Sequence, residues 1–369
     1  MSSSLAILTL PVQEKIRQLV PLCLEALPRM LVTQDELFCY REVWTDSGPK
    51  RIGSSVRYTA ITLIGLAAAQ RSGLQMPPGL ETERLAARLS RELAAGLGDL
   101  GLILWALTTN LPDQAVTFCK TLLARLNNSD HALYRLDTMQ LAWLLTGLCR
   151  AHQAGLASAA LEKAIVHVGR VLGSAHEQAT GLFYRFPAGR RSVIRWTASF
   201  AMEIYPVYAL SLYAEVLGNH AAVMLAQACA DKLCELQLAD GGWPWMYDVR
   251  TGRLIDPYPV YSVHQDGMAP MALIKLSRVA GKDYSAAIDR GVAWLDSDNP
   301  MGVNMVDCER QTIWRAQEIP RLFGLQPRLL LNAGAALFLG RGLLSAGPLR
   351  LVAECRPYHL GWLLHAAFE

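Results

Sequence analysis

The densest run of side chains able to do chemistry in this sequence is Val260-Tyr261-Ser262-Val263-His264-Gln265-Asp266-Gly267-Met268, at the head of an apolar stretch. At helical spacing Ser262 and Asp266 share a face, and Tyr261, His264 and Gln265 approximately share another. Placing His, Gln and Asp in the first turns of an apolar segment costs desolvation. They either meet a ligand or form a cap network that ties down the loop before them. Glu203 is a second candidate, because it stands alone in the apolar run Ala198-Ser199-Phe200-Ala201-Met202-Glu203-Ile204-Tyr205. Burial lifts a carboxyl pKa towards neutrality, which suits a proton donor. An ion pair with Arg190, Arg191 or Arg195 would serve it equally well. Asp99 and Asp137 stand where helices begin, a position that suits capping, and Asp137 is also a third available acid.

Aromatic and cationic residues gather near these positions. Trp243, Trp245, Tyr247, Tyr258 and Tyr261 fall in one window, and Tyr184, Phe186, Tyr205 and Tyr208 form another. Such rings are core, or they are platforms on which the C–H face of a sugar stacks. Arg185, Arg190, Arg191, Arg195, Arg250, Arg253 and Arg315 lie in the same long links and would make a shared mouth electropositive. Arg57 and Tyr58 open another apolar helix, and Trp314 precedes Arg315. The expected ligand contacts are therefore Arg57, Tyr58, Tyr205, Trp243, Tyr247, Tyr258, Tyr261, Gln265, Trp314 and Arg315. The expected catalytic set is Glu203, Asp266, His264 and Asp137.

These residues must be positioned by helices. Apolar residues recur at helical spacing over 12–27, 57–72, 81–96, 100–110, 112–126, 137–153, 158–173, 199–217, 219–236, 261–280, 284–297 and 328–345. Helix stops are marked by Gly73, Gly155, Gly173, Gly218 and Gly281. Very short links near 154–157, 218–219 and 281–283 alternate with long ones at 28–56, 174–198, 237–260 and 298–327. Antiparallel pairs arranged in a ring would put every long link at one end. An aromatic patch before a new helix recurs at Leu37-Phe38-Cys39-Tyr40-Arg41, Leu182-Phe183-Tyr184-Arg185, Trp243-Pro244-Trp245-Met246-Tyr247 and, faintly, Thr312-Ile313-Trp314-Arg315. Repeats of this kind indicate a stacked or closed array. The expectation is an all-α (α/α)6 toroid, a double ring of helical hairpins, with small β-hairpins in the long loops. It forms one domain over 1–369, with 350–369 as a C-terminal helix packed on the ring.

With its string Leu236-Gln237-Leu238-Ala239-Asp240-Gly241-Gly242-Trp243 at a helix end, the chain resembles the α/α-toroid superfamily. That group holds six-hairpin glycosidases, polysaccharide lyases, sugar epimerases and the squalene and terpene cyclases. The Gln-x3-Gly-x-Trp pattern is similar to the cyclases' glutamine–tryptophan motif. The resemblance implies a carbohydrate-active enzyme working by acid/base chemistry on an oligosaccharide or uronate-containing glycan in a central cavity. A glycosidase needs two carboxyl groups, about 5–5.5 Å apart for retention and about 6.5–9.5 Å for inversion. A lyase or epimerase needs a His or Tyr base beside a carboxylate-neutralising Arg, for which His264, Tyr261 and Arg57 are available. A terpenoid-cyclase-like enzyme is an alternative, but the Asp-x-Asp-Asp acid is matched only by Asp296-Ser297-Asp298-Asn299, which lacks the last Asp. A non-catalytic glycan-binding or scaffold protein on the same ring is the other alternative.

Composition narrows the partners. The chain has 369 residues, 52% hydrophobic and 18% charged, with net charge +3. That excludes intrinsic disorder and argues against nucleic acid. No apolar run is long enough to span a membrane. The N-terminal stretch does not read as a secretory signal, so a cytoplasmic location is expected, with the eight cysteines mostly buried and reduced. No HExxH, P-loop, GxGxxG or clustered Cys/His is present, so neither metal nor cofactor is expected. The expected partner is a small-molecule or oligosaccharide ligand.

Overall fold

The computed structural model describes residues 11–127, 130–190, 192, 194–320, 334 and 347–369. Among them stand six inner helices: Val56–Arg71, Leu97–Asn110, Thr138–Ala151, Phe200–Leu217, Ala269–Ala280 and Pro357–Phe368. Each packs on the next, and the last packs on the first, so the ring closes. The outer layer is Pro11–Arg17 with Val20–Ala26, then Thr82–Leu89, Pro112–Asn127, Ala159–Gly173, His220–Glu235 and Ser285–Ala293. The chain is thus an all-α toroid of helical hairpins.

Burial follows the residue pattern. The first inner helix buries every residue from Thr59 to Ala69, as a helix covered on all sides must. Ala159–Gly173 buries Leu161, Ile165, Val168 and Leu172 on one stripe and exposes Glu162, Lys163 and Arg170 on the other. Two glycine pairs set the tightest contacts. A side-chain carbon on Gly147 would overlap the backbone of Gly101, and one on Gly65 would overlap that of Gly361. At these points neighbouring inner helices touch backbone to backbone.

Gly361 belongs to the part of the ring that the sequence pattern assigned differently. The segment 328–345, expected as the sixth inner helix, lies outside the described residues apart from Gly334. The C-terminal helix, expected as packed on the ring, is a member of it. Its buried run Leu360, Trp362, Leu363, Leu364 and Ala366 and its contact with the first inner helix through Gly361 close the circle.

The long links form a collar at one end, from which the inner helices start. Small antiparallel sheets join links that are far apart in sequence. Leu37–Thr45 pairs with Gly48–Ser54 and with Glu354–Cys355. Val260–Tyr261 pairs with Ala316–Glu318, which pairs with Arg350–Val352. Thr197–Ser199 pairs with Met246–Asp248, which pairs with Arg253–Asp256. Strands from separate loops therefore combine into sheets of three and four.

Candidate functional site: a blind cavity at the collar end

A cavity of about 160 Å³ opens among the N-termini of the inner helices. Its cations are Arg57 and Arg315, each stacked on an aromatic face. Arg57 lies 4.8 Å from the Trp143 ring centroid and is held by Asp99 through bonds of 2.6 and 3.1 Å. Arg315 lies 4.9 Å from the Tyr261 centroid and donates to Glu354 at 2.5 Å. Glu354 also accepts from Arg41 at 2.8 Å and from Arg356 at 2.9 Å. Three guanidiniums thus share one carboxylate on this side, which leaves the wall electropositive. Arg356 donates to the hydroxyls of Tyr58 (2.8 Å) and Tyr40 (3.2 Å).

His264 stands on the same wall. Its ring packs between Phe200 (4.5 Å between centroids) and Trp245 (6.1 Å), with Tyr261 edge-on at 5.1 Å. Burial pushes its pKa down to about 3, and the charges of Arg315 and His359 add to the effect. The imidazole is therefore neutral at physiological pH, and its buried Nδ1 has no hydrogen-bond partner. The Trp143 indole N–H is likewise buried, beside Tyr205. Burial raises the hydroxyl pKa of Tyr58 and Tyr205, so both are protonated donors.

Below the cavity the ring is filled by a column of aromatic rings. Tyr205 contacts Trp143 (5.4 Å) and Trp362 (5.9 Å), Trp362 contacts Trp105 (5.7 Å), and Trp105 contacts His365 (4.9 Å). The column makes the cavity blind. Larger depressions of about 510 and 610 Å³ exist elsewhere, but outer helices and loop residues such as Val166, His167, Tyr134 and Arg190 line them.

Of the residues singled out by sequence, Arg57, Tyr58, Tyr205, Tyr261, His264 and Arg315 line the cavity. Trp245, named above among the candidate platform rings, and Met268, the end of the polar run, line it too, and the structure adds Met139, Trp143 and Tyr358. Trp143 gave no signal of its own, because it sits in an apolar helix and reads as core. Tyr358 lay in a stretch read as peripheral.

The other expected residues lie behind the wall. Glu203 Oε2 accepts from the Phe183 amide (2.8 Å) and the Cys229 thiol (3.4 Å), between the inner and outer helix layers. Burial raises its pKa to about 8. The alternative ion pair is absent among the described residues: Arg190 stacks on Phe186 at 3.7 Å and Arg195 on Tyr184 at 3.9 Å, while Arg191 lies outside them. Asp266 faces the sixth inner helix, where His359 Nε2 lies 2.8 Å from both carboxylate oxygens. Asp137 forms a capping box with Gln140. Trp243 is buried against Phe200 at 5.4 Å, and its amide donates to Gln265 Oε1 at 3.3 Å. The Tyr247 hydroxyl donates to the Pro244 carbonyl. Tyr258 and Trp314 belong to a satellite cluster with Trp294. Asp296 and Asp298 are exposed beyond an outer helix. No Asp or Glu is among the described residues lining the cavity.

Among the described residues no group of three His, Cys, Asp or Glu could hold a metal ion, and no helix is long and apolar enough to cross a membrane. Six of the cysteines are buried, Cys234 is partly buried, and Cys308 is exposed.

No protein-family model matches this sequence, and no curated protein sequence matches it. Solved structures do resemble it, and together they define the class of fold as the six-hairpin glycosidase-like toroid. One is a sugar epimerase from a ruminal bacterium, with TM-score 0.65 and 10% identity over 96% of this chain and 98% of that one. Another is an unsaturated glucuronyl hydrolase specific for heparin, with TM-score 0.60 and 13% identity over 96% and 95%. A third is a glycosyl hydrolase of family 88 from Bacteroides vulgatus, with TM-score 0.62 and 11% identity over 96% and 97%. At these identities the likeness is one of fold.

Proposed function

We propose that this protein is a carbohydrate-active enzyme of the lyase or epimerase type, in which His264 moves a proton to or from a carbon of one sugar ring. One observation carries the reading. His264, Tyr261, Arg57 and Arg315 share a cavity whose described lining holds no carboxylate. A glycosidase flanks its bond with two carboxyl groups, whereas abstraction of a proton beside a carboxylate or carbonyl needs one unprotonated base, which an imidazole can be, and cations to hold the developing oxyanion. His264 is unprotonated, and the carboxylate of a bound uronate would lift its pKa from about 3 towards the working range, while Arg57 with Arg315 suits the second role. The volume, below the ~300–1,000 Å³ of drug-sized sites, suits one ring rather than a chain.

The test is a panel of neutral and uronate-containing mono- and oligosaccharides incubated in D2O and followed by NMR. Deuterium entering at a ring carbon, or an unsaturated product, is the expected result. His264→Asn should lower the rate on the order of 10²-fold or more with the helical CD signal intact. Hydrolysis without deuterium incorporation, or full activity in His264→Asn, would overturn the reading. Saccharide binding with no turnover by the parent protein would favour a glycan-binding role.

A further inference from the structure

The fifth inner helix begins with a π turn, His264–Met268, in which the Ala269 amide bonds to the His264 carbonyl. Such wide turns persist mainly where something holds them, and they cluster at functional sites. Here consecutive residues are fixed in different directions. His264 and Met268 face the cavity. Gln265 turns away, accepting from the Trp243 amide and donating to the Tyr261 carbonyl at 3.0 Å. Asp266 turns to the sixth inner helix and takes His359 on both oxygens. Gly267 lies so close to that helix that a side-chain carbon would come within 2.9 Å of Trp362 Cβ.

We propose that the Asp266–His359 pair is the positioning device of the cavity's imidazole: it locks the π turn to the sixth inner helix, so that His264 is held against the wall that carries Tyr358. The proposal deepens the reading of His264 as the proton-transfer group and rests on it for its meaning. Asp266 and His359 are 0% and 3% exposed. A buried ionisable pair adds little net stability over apolar packing, because desolvation offsets the attraction. Direction is what apolar packing would not supply. A two-oxygen contact to one ring nitrogen fixes both the rotation and the spacing of the two helices. Tyr358, next to His359, and His264 and Met268, each two residues from Asp266, are the ones that line the cavity. Neither Asp266 nor His359 lines the cavity, so both are positioning residues rather than catalytic ones.

The experiment uses the whole chain with 15N-labelled histidine, the His264 signals being assigned by their loss in His264→Asn. In the parent, His264 should stay neutral from pH 8 down to pH 5, shielded by burial and by the charges of Arg315 and His359. In the volume-keeping double variant Asp266→Leu/His359→Leu, its signals at pH 8, where the ring is neutral in both proteins, should shift because the ring is displaced, apart from any rise in titration that loss of the His359 charge brings. Turnover should fall on the order of 10–100-fold with KM nearly unchanged, since the ring is displaced and not removed. Should that variant fail to fold, Asp266→Asn alone decides: the same direction of change, smaller, supports the pair's role. Folded variants with His264 signals at pH 8 identical to the parent's would overturn it. The spectra need no substrate. A parent inactive on every saccharide would therefore sink the proton-transfer reading while leaving the positioning result standing.

Discussion

At the collar end of the ring Arg57 lies over Trp143, 4.8 Å from its centroid, and at the opposite end Arg150 lies over Trp105 at 5.1 Å. Both ends combine Arg, Tyr, Trp and His, yet they are built differently. At the far end one carboxylate, that of Glu369, accepts from Arg150 (3.1 Å), Tyr208 (2.9 Å), Lys275 (2.8 Å) and His365 (2.7 Å). These charged and polar groups are buried against one another and hold the inner helices together. At the collar end the carboxylates, Asp99 and Glu354, stand behind the arginines, and no Asp or Glu is among the described residues lining the cavity. The same residue types make a fastening where a carboxylate stands among them and line an open cavity where the carboxylates stand behind them.

The largest effect of a substitution should come from breaking the fastening. Glu369→Gln leaves Arg150 buried without its anion and Lys275 with Glu215 alone, at 3.3 Å, which should cost about 3 kcal/mol of unfolding free energy, the low end for breaking a buried pair. Guanidinium denaturation measures it. Saccharide binding by the remaining folded protein should not change, because the aromatic column separates the two ends. A loss below about 1 kcal/mol would mean that charge does not hold the far end.

The next effect is a pH dependence that belongs to the wall behind the cavity. Folded Glu203 titrates near 8, against 4.5 for an ordinary glutamate. Between those values the folded chain keeps a proton that the unfolded chain has released. Glu203's contribution to stability is therefore fully present below pH 4.5 and is lost as pH rises towards 8. The span corresponds to a loss on the order of 5 kcal/mol. Denaturation of parent and Glu203→Gln at pH 5, 6.5 and 8 checks the sign, since the variant should show a flatter profile. Equal slopes would mean that Glu203 is already ionised in the folded state.

The architecture was legible because a toroid imposes a pattern that sequence displays: helices apolar on all sides, amphipathic partners, and alternating short and long links. The last inner helix was not, because Pro357–Phe368 begins beside Arg356 and His359 and so resembles a surface segment. The kinds of residue at the site were legible too, and Arg57, Tyr58, Tyr205, Tyr261, His264 and Arg315 do meet. Which way neighbouring residues face was not. Gln265 was expected on the face of Tyr261 and His264, but in the π turn His264 lines the cavity while Gln265 turns away to the Trp243 amide. The pairs that settle direction are distant in sequence: Asp266 with His359 across 93 residues, Arg57 with Asp99 across 42 and Arg315 with Glu354 across 39. No local pattern carries such pairings.

The smallest predicted effect tests whether every acid at the collar end belongs to the chemistry. Asp137 was a candidate acid, and burial raises its pKa, as it would for a proton donor. Its oxygen accepts from the Gln140 amide at 2.8 Å, while the Gln140 side chain bonds back to the Asp137 amide at 3.2 Å. That reciprocal pair satisfies donors at the start of the third inner helix. If capping is the whole role, Asp137→Ala should cost roughly 1 kcal/mol and Asp137→Asn almost nothing, because Asn caps as well as Asp. Turnover should stay within about two-fold in both, well short of the 10²-fold that losing a positioned acid costs. The two substitutions separate the roles cleanly: Asn keeps the cap and removes the acid. A large loss of turnover in Asp137→Asn with stability unchanged would put Asp137 in the reaction and extend the open end of the ring beyond the cavity wall.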